Sequence, residues 1–339
     1  MRPTGKDVAR RAGVSPKTVS NVLTGVVSVT PRTRARVEQA MQELNYVPNH
    51  SARSLRNGRS GLIGLALPDL STPYSADLAH HIVEAAHERG WGVQIEETGH
   101  DPQREVELMS QARTNIIDGL ILNPVVLDES AVKVGVALPP VVLLGEVNQH
   151  LTDRVWVDGV TAASDMTKLL AAKGARRIAV LGATGERRSA TAITRTEGYR
   201  AGLAELGFPR DTALEIVCDD WTPRGSAEAL AAYLDQHDLP DAIFCFTDSL
   251  AIGALNALSS KGIRVPDDVM VAGFDDIDDG EFANPPLTTV SFDRREVAER
   301  ALDMLARRIA NRDRTPETVT VDYRIIERAS THDRISRKN

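Results

Sequence analysis

From Gly61 onward, short apolar runs alternate with amphipathic helical stretches, and this alternation confines the body of the chain to parallel sheets covered by helices on both faces. The runs LIGLALP, GVQIEE, DGLILNP and PVVLLGE read as buried strands, with YSADLAHHIVEAAHERG and DPQREVELMSQART as helices between them. The pattern then begins afresh. A helix, VTAASDMTKLLAAKG, leads to strands RRIAVLGA, LEIVCDD, DAIFCFTD and DVMVAGFDD with helices between. Two such series, near 61–160 and 161–290, predict two similar α/β lobes. A late helix, RREVAERALDMLARRIAN, then leads to a final strand in ETVTVDYRIIER. Doubly wound sheets bind ligands beyond the C-terminal ends of their strands, so two facing lobes predict one ligand in the cleft between them.

Charge divides the chain at the start of this body. Residues 1–60 hold eleven Lys and Arg against three acids, whereas residues 61–339 hold 29 basic and 44 acidic residues, within a formal net charge of −7. A basic head on an acidic body is expected where one part of a chain meets nucleic acid. At 339 residues two or three domains are expected.

Several chemistries are disfavoured. Cys218 and Cys245 lie in or beside apolar runs, which predicts buried thiols rather than a disulfide or a metal pair. No H-E-x-x-H or C-x-x-C spacing occurs, so no metal site is expected. IAVLGATGERR places G-x-x-G after a strand, but Arg188 stands where the third glycine of a dinucleotide fingerprint belongs, and no cofactor is expected. No G-x-S-x-G elbow and no other nucleophile–base set stands out, so no catalytic residues are assigned. The start has no apolar signal stretch and no run of about 18 apolar residues follows, which reads as a cytoplasmic chain without a membrane partner.

The head has its own pattern. Thr4 and Asp7 have capping-box spacing, opening a helix over about 6–12 with Val8, Ala9 and Ala12 on one face and Gly13 ending it. In GVSPKTVSNVL, Ser15 caps a second helix and Pro16 takes its first position without losing a hydrogen bond. Val19, Val22 and Leu23 point inward, while Lys17, Ser20, Asn21 and Thr24 form the outward face. A third helix opens at Thr30 and Pro31, with Val37, Ala40, Met41 and Leu44 inside. Three short helices with a glycine turn between the first two make a helix-turn-helix, whose second helix enters the major groove. Lys17 can donate to guanine and Asn21 can pair with adenine. Ser15, Thr18, Thr24, Thr33 and Tyr46 suit phosphate contacts. Beyond Pro48, the stretch NHSARSLRNGRSG fits either a two-turn helix presenting Arg53, Arg56 and Leu55 to a minor groove or a plain linker.

The run KDVARRAGVSPKTVSNVLTG…VTPRTRARVEQAMQELNYVPNHSARSLRNGRSGLIGLALP closely resembles the lactose-repressor and galactose-repressor (LacI/GalR) family of bacterial transcription regulators. The resemblance implies that Pro16, Lys17 and Asn21 read a half-site and that Leu55, on a hinge helix with Arg53, wedges into the central base step. Gly5 departs from the family's pattern, which has an apolar residue there. The stretches FTDSLAIGALNALSSKGIRVPDDVMVAGFDDID and PPLTTVSFDRREVAERALDML look like the family's effector-domain signatures, which resemble periplasmic sugar-binding proteins. By position the family's cleft contacts fall on Tyr74, Arg195, Trp221, Asp248 and Asp275, and more weakly on Phe292. Asp248 and Asp276 also stand where helix caps are expected; Asp276 is assigned to the cap and Asp275 to the ligand. Thr247 stands where sugar-binding members often carry Asn.

These readings define an N-terminal all-α head over 1–47, a hinge and linker over 48–60, and a two-lobed α/β effector domain. Its N-terminal lobe spans 61–160 with about 291–320 returning to it, and its C-terminal lobe spans 161–290 with about 321–333. The expected function is repression of transcription by a homodimer on a pseudo-palindromic operator in double-stranded DNA. No leucine-heptad tail follows IIERASTHDRISRKN, which favours a dimer. The strand-end acids and Trp221 favour a sugar effector, with a purine or other metabolite as the alternative; a sugar-processing α/β enzyme is the more distant reading.

Overall fold

The computed structural model describes residues 3–24, 27–46, 59–99, 101–113, 116–125, 132, 138–147, 150–185 and 189–331. The chain separates into two compact units, Met1–Ser60 and Gly61–Asn339.

The first unit holds α1 (Gly5–Ala12), α2 (Pro16–Thr24) and α3 (Pro31–Glu43). Thr4 and Asp7 close a reciprocal capping box, the Asp7 carboxylate accepting the Thr4 N–H at 2.9 Å. Gly13 ends α1 at φ 61°, in the left-handed region that disfavours side chains. Arg36, reaching from α3, donates to the Ala12 carbonyl at 2.5 Å and so satisfies an orphaned acceptor of the last turn of α1. Ser15 accepts from the Thr18 N–H at 3.1 Å, and Thr30 from the Thr33 N–H at 3.3 Å. The core consists of Val8, Ala9, Ala12, Val19, Val22, Val37 and Ala40, with Leu23, Met41, Leu44 and Tyr46 partly buried around it. So small a core buries little area, and caps carry much of the specification.

The second unit contains two sheets. One has the order β11 (Thr318–Val321), β5 (Asp153–Val157), β4 (Val141–Leu144), β3 (Leu120–Leu122), β1 (Leu62–Leu67), β2 (Gly92–Glu97), with every pairing parallel. The other runs β12 (Tyr323–Ile326), β10 (Thr288–Phe292), β9 (Met270–Phe274), β8 (Ala242–Cys245), β6 (Ile178–Ala183), β7 (Glu215–Val217). It is parallel except for β12, which pairs antiparallel with β10. The helices are α4 (Pro73–Glu88), α5 (Pro102–Arg113), α6 (Gly159–Ala172), α7 (Ala190–Glu205), α8 (Pro223–Leu234), α9 (Asp248–Ser260), the single turn α10 (Asp278–Glu281) and α11 (Arg294–Ala310). Leu78 and Ile82 of α4 and Leu302 and Leu305 of α11 pack with Ile63 and Val142 under the first sheet. Met166 and Leu170 of α6 and Tyr199 of α7 pack with Val180 and Phe244 of the second.

Two strand expectations need correction, and two interior strands are not expected from the sequence. GVQIEE forms an edge strand rather than a buried one, leaving Ile95 39% exposed; the strand in LEIVCDD also lies at an edge, with Val217 45% exposed. ETVTVDYRIIER is two strands: the chain leaves the first sheet at Val321 and enters the second at Tyr323, with Asp322 alone between them. DRVWV and TTVSF are interior strands that open on polar residues. Burial is tolerated there because Asp153 makes a two-bond ion pair with Arg308 (2.9 and 2.6 Å), and the Thr289 hydroxyl donates to Asp248 at 2.7 Å. Cys218 and Cys245 are buried free thiols, as expected.

Candidate functional site

In the head, the residues assigned to DNA lie on α2 and at the start of α3. Lys17 is exposed and Asn21 half-exposed, on the side of α2 opposite Val19 and Val22. The Ser15 and Thr18 hydroxyls are 2.9 Å apart, as are those of Thr30 and Thr33, so Ser15, Thr18 and Thr33 first serve their own helix starts. Tyr46 is partly buried against the three-helix core, and its hydroxyl lies beside Gly5. Arg53, Leu55 and the side chain of Thr24 lie outside the described residues.

In the second unit a cleft of about 1030 Å³ opens between the two sheets at the C-terminal ends of their strands. Pro68 and Asp69 enter it after β1, Asn123 after β3, Glu146 after β4, Gly185 after β6, Thr247 after β8 and Asp275 after β9. Of the six residues assigned to an effector, Tyr74, Arg195, Trp221, Asp275 and Phe292 line it. Asp248 does not.

Arg195 organises the floor. It projects from α7 with its guanidinium 3.4 Å from the centroid of the Phe274 ring. Its Nε donates to Glu146 Oε1 at 3.2 Å, one Nη donates to the Phe246 carbonyl, and the same Nη lies 3.9 Å from Asp275 Oδ1. A planar cation held by a ring face and two acids is well fixed. Asp275 is buried at the end of β9. Its carboxyl is raised to about 7, chiefly by burial and also by Glu146, against the pull of Arg195 and Arg294. Burial also raises the Tyr74 phenol, keeping it neutral, and its ring meets Phe292 edge-on at 6.2 Å. Trp221 presents a partly buried indole from the loop before α8.

Asp248 is turned away from the cleft and fully buried. Its carboxylate accepts from the Thr289 hydroxyl at 2.7 Å and the Ile277 N–H at 3.0 Å, tying β10 to the loop after β9. Its helix cap is Thr247, which accepts from the Leu250 N–H at 3.2 Å. A Cβ at Gly273 would stand 2.0 Å from Asp248 Oδ1, so this brace depends on glycine at that strand position. Asp276 is likewise not a cap: Ile277 holds the N-cap position of α10 and makes no side-chain cap bond, and Asp276 instead pairs with Arg328 at 2.8 Å. The sequence reading passed over Glu146 and Asn123, although both directly follow apolar runs whose ends it treated as ligand-facing elsewhere.

Known proteins share this two-part architecture. Residues 4–49 match the bacterial regulatory proteins of the lacI family, and residues 167–331 match the periplasmic binding protein-like domain. The HTH-type transcriptional repressor CytR of Escherichia coli K12 is 32% identical, over 97% of this chain and 96% of its own. The Lac repressor dimer bound to operator and the anti-inducer ONPF superposes with a TM-score of 0.83 at 26% identity, covering 98% of this chain and 100% of that one. A complex of the transcriptional regulator CelR with cellobiose gives a TM-score of 0.69 at 28% identity, over 97% and 100%. The chain belongs to the lacI family of bacterial regulatory proteins. It is a DNA-binding transcriptional repressor, not an enzyme.

Proposed function

We propose that the chain represses as a homodimer on a pseudo-palindromic operator, and that a sugar held in the inter-lobe cleft sets its operator affinity. The observation that carries the sensor half is the floor of the cleft, where Arg195 and Asp275 face one space beside Trp221. A carboxylate accepts paired hydroxyls, a fixed guanidinium donates to ring or hydroxyl oxygens, and an indole face covers the apolar side of a pyranose. CelR, of similar fold, was solved with cellobiose, which supports the sugar reading. A purine or nucleoside is the second reading, favoured by the same aromatic surface of Trp221, Tyr74 and Phe292.

On the DNA side, Lys17 and Asn21 select bases, Pro16 sets the helix start, and Ser15, Thr18, Thr24, Thr33 and Tyr46 position it on phosphates. Arg53 and Leu55, within the hinge of residues 48–60, enter the minor groove. One head reads half a site, so two copies about one helical turn apart are required. The Lac repressor, solved as a dimer on its operator, supports this, as does Phe282, an apolar side chain left 84% exposed in a single copy. In this reading the head spans 1–47 and the lobes divide at about 160, 290 and 320. The repressor works in the cytoplasm, and among the described residues no helix is long and apolar enough to cross a membrane.

The test has two parts. Selection from random duplexes should enrich an inverted repeat, and Asn21→Arg should change the preferred base within it. A melting-temperature screen of sugars and purines should then yield a stabilising compound whose effect Trp221→Ala removes. Enrichment of no inverted repeat, or a shift that survives Trp221→Ala, contradicts the respective half.

A further inference from the structure

The floor of the cleft contains one acceptor that the fold leaves unsatisfied. Glu146, directly after β4, has a side chain only 6% exposed. Its Oε1 receives the Arg195 Nε, but its Oε2 is buried without a hydrogen-bond partner among the described residues. A buried carboxylate oxygen without a donor is costly, and native structures keep such groups where a ligand or water completes them. The backbone holds Glu146 in place closely: a Cβ at Gly159, the first residue of α6, would fall 2.1 Å from Oε1. That helix start also favours negative charge beside it. Glu146 raises the proton affinity of both Asp275 and Tyr74, so the three groups share one neighbourhood of the cleft.

The charge of that neighbourhood restricts what can enter. Among the described lining residues, Asp69, Glu146, Asp219 and Asp220 stand against one cation, Arg195, and Asp275 adds its charge above about pH 7. Arg195 already faces Glu146 and Asp275 and donates to the Phe246 carbonyl. An arginine so engaged, with two carboxylates at its side, is poorly placed to receive a phosphate or carboxylate in two-bond fashion.

Building on the cleft-sensor reading, we propose that Glu146 selects the effector's chemical class: an uncharged molecule donating an O–H or N–H to Glu146 Oε2, with its phosphorylated counterpart excluded. Sugars and nucleosides share this chemistry; sugar phosphates and nucleotides do not. Selection operates by an acceptor that only a donor satisfies and by repulsion of anions, the two ways a site discriminates between close relatives.

The test is calorimetric titration of the full chain with mono- and disaccharides and nucleosides, each paired with its monophosphate. The expected result is an uncharged binder whose monophosphate binds at least about 10-fold more weakly. Glu146→Gln should weaken the uncharged binder by about 10- to 100-fold, the size of a lost hydrogen bond to a charged group. An analogue lacking the one hydroxyl or amino group that meets Glu146 should bind wild type and variant equally. The wild-type comparison stands even if Glu146→Gln folds poorly, which its melting temperature reports. A monophosphate that binds as tightly as its parent, or a panel without an uncharged binder, overturns the proposal. If Trp221→Ala and Asp275→Asn abolish binding while Glu146→Gln does not, the cleft remains the sensor and the role of Glu146 falls. Binding that none of the three variants alters places the ligand elsewhere, and the cleft reading itself falls.

Discussion

Arg294, the first residue of α11, is joined to Asp275, the last turn of the β9 strand end, through the main chain: its guanidinium donates to the Asp275 carbonyl oxygen. It donates also to the Asp276 carbonyl at 3.1 Å and, through Nε, to the Asp77 carboxylate on α4. One side chain thus ties a helix of the first sheet to the strand end that presents an effector-facing acid. Asp275 and Asp276 both have positive φ, 113° and 54°, which costs non-glycine residues about 1–3 kcal/mol each. Arg294 and Arg328 hold that conformation.

Removing the clamp should therefore be felt at both ends. Arg294→Ala is expected to lower stability by about 1–3 kcal/mol in urea unfolding and to weaken effector binding. Arg294→Lys, a point donor in place of a three-way fork, should recover only part of either. Wild-type stability and effector affinity in Arg294→Ala would show that the clamp holds nothing.

The buried pair of Arg308 and Asp153 fixes the strand that opens on charged residues. Arg308 also donates to the Arg314 carbonyl at 2.5 Å, and Asp153 accepts the Glu317 N–H at 2.9 Å, so the pair secures the approach to β11. Arg308→Ala leaves an uncompensated buried carboxylate and should cost about 3–5 kcal/mol. Replacing both partners with apolar residues should cost much less. Equal losses in single and double variants would contradict the pairing as the cause.

Stability of the second unit should fall as pH rises from about 4 to about 7. Asp275, near 7 when folded against 3.8 otherwise, holds its proton more tightly in the folded chain, so its contribution is present below the unfolded value and lost through the folded one. Asp248 shifts in the same direction, chiefly by burial. One proton amounts to about 1.4 kcal/mol per pH unit, so the melting temperature should drop roughly 3–6 °C between pH 5 and pH 7. Asp275→Asn should flatten this slope. A melting temperature that rises over the interval, in wild type, contradicts it.

Gly5 begins α1 with a negative φ, and a Cβ there would stand 3.5 Å from Tyr46 Oη, ordinary contact distance. Gly5→Ala should stabilise the head by about 0.4–1 kcal/mol by restricting the unfolded chain. Gly13→Ala should do the reverse, since φ 61° and the Arg36 guanidinium 2.8 Å away both oppose a side chain. Head unfolding followed by circular dichroism separates the two signs.

Much of this molecule was legible in its sequence because local and global signals agree. Caps at Thr4, Ser15 and Thr30 and the glycine at position 13 delimit the head's helices, and apolar strands alternating with amphipathic helices dictate parallel sheets. What escaped was whatever long-range pairing decides. β5 begins with Asp153 and Arg154, which look solvated until Arg308, 155 residues away, is brought beside Asp153. Asp248 sits at a strand end, where side chains often face ligand, yet Thr289 and Ile277 draw it inward. Glu146 stands at a strand end, where a ligand-facing side chain is legible, but its partner Arg195 is not; Arg294 follows no local pattern, and its role exists only once both sheets are assembled.

The central claim is that a ligand in this cleft controls a DNA-reading head. It is tested most directly by the operator dissociation constant of the full chain, measured against effector concentration for wild type and Asp275→Ala. Coupling between two sites of this kind amounts to roughly 5- to 150-fold. A saturable change of that size in wild type, absent in Asp275→Ala at the same concentrations, is the predicted result. An operator affinity that does not respond to a bound effector, or that responds equally in Asp275→Ala, contradicts it.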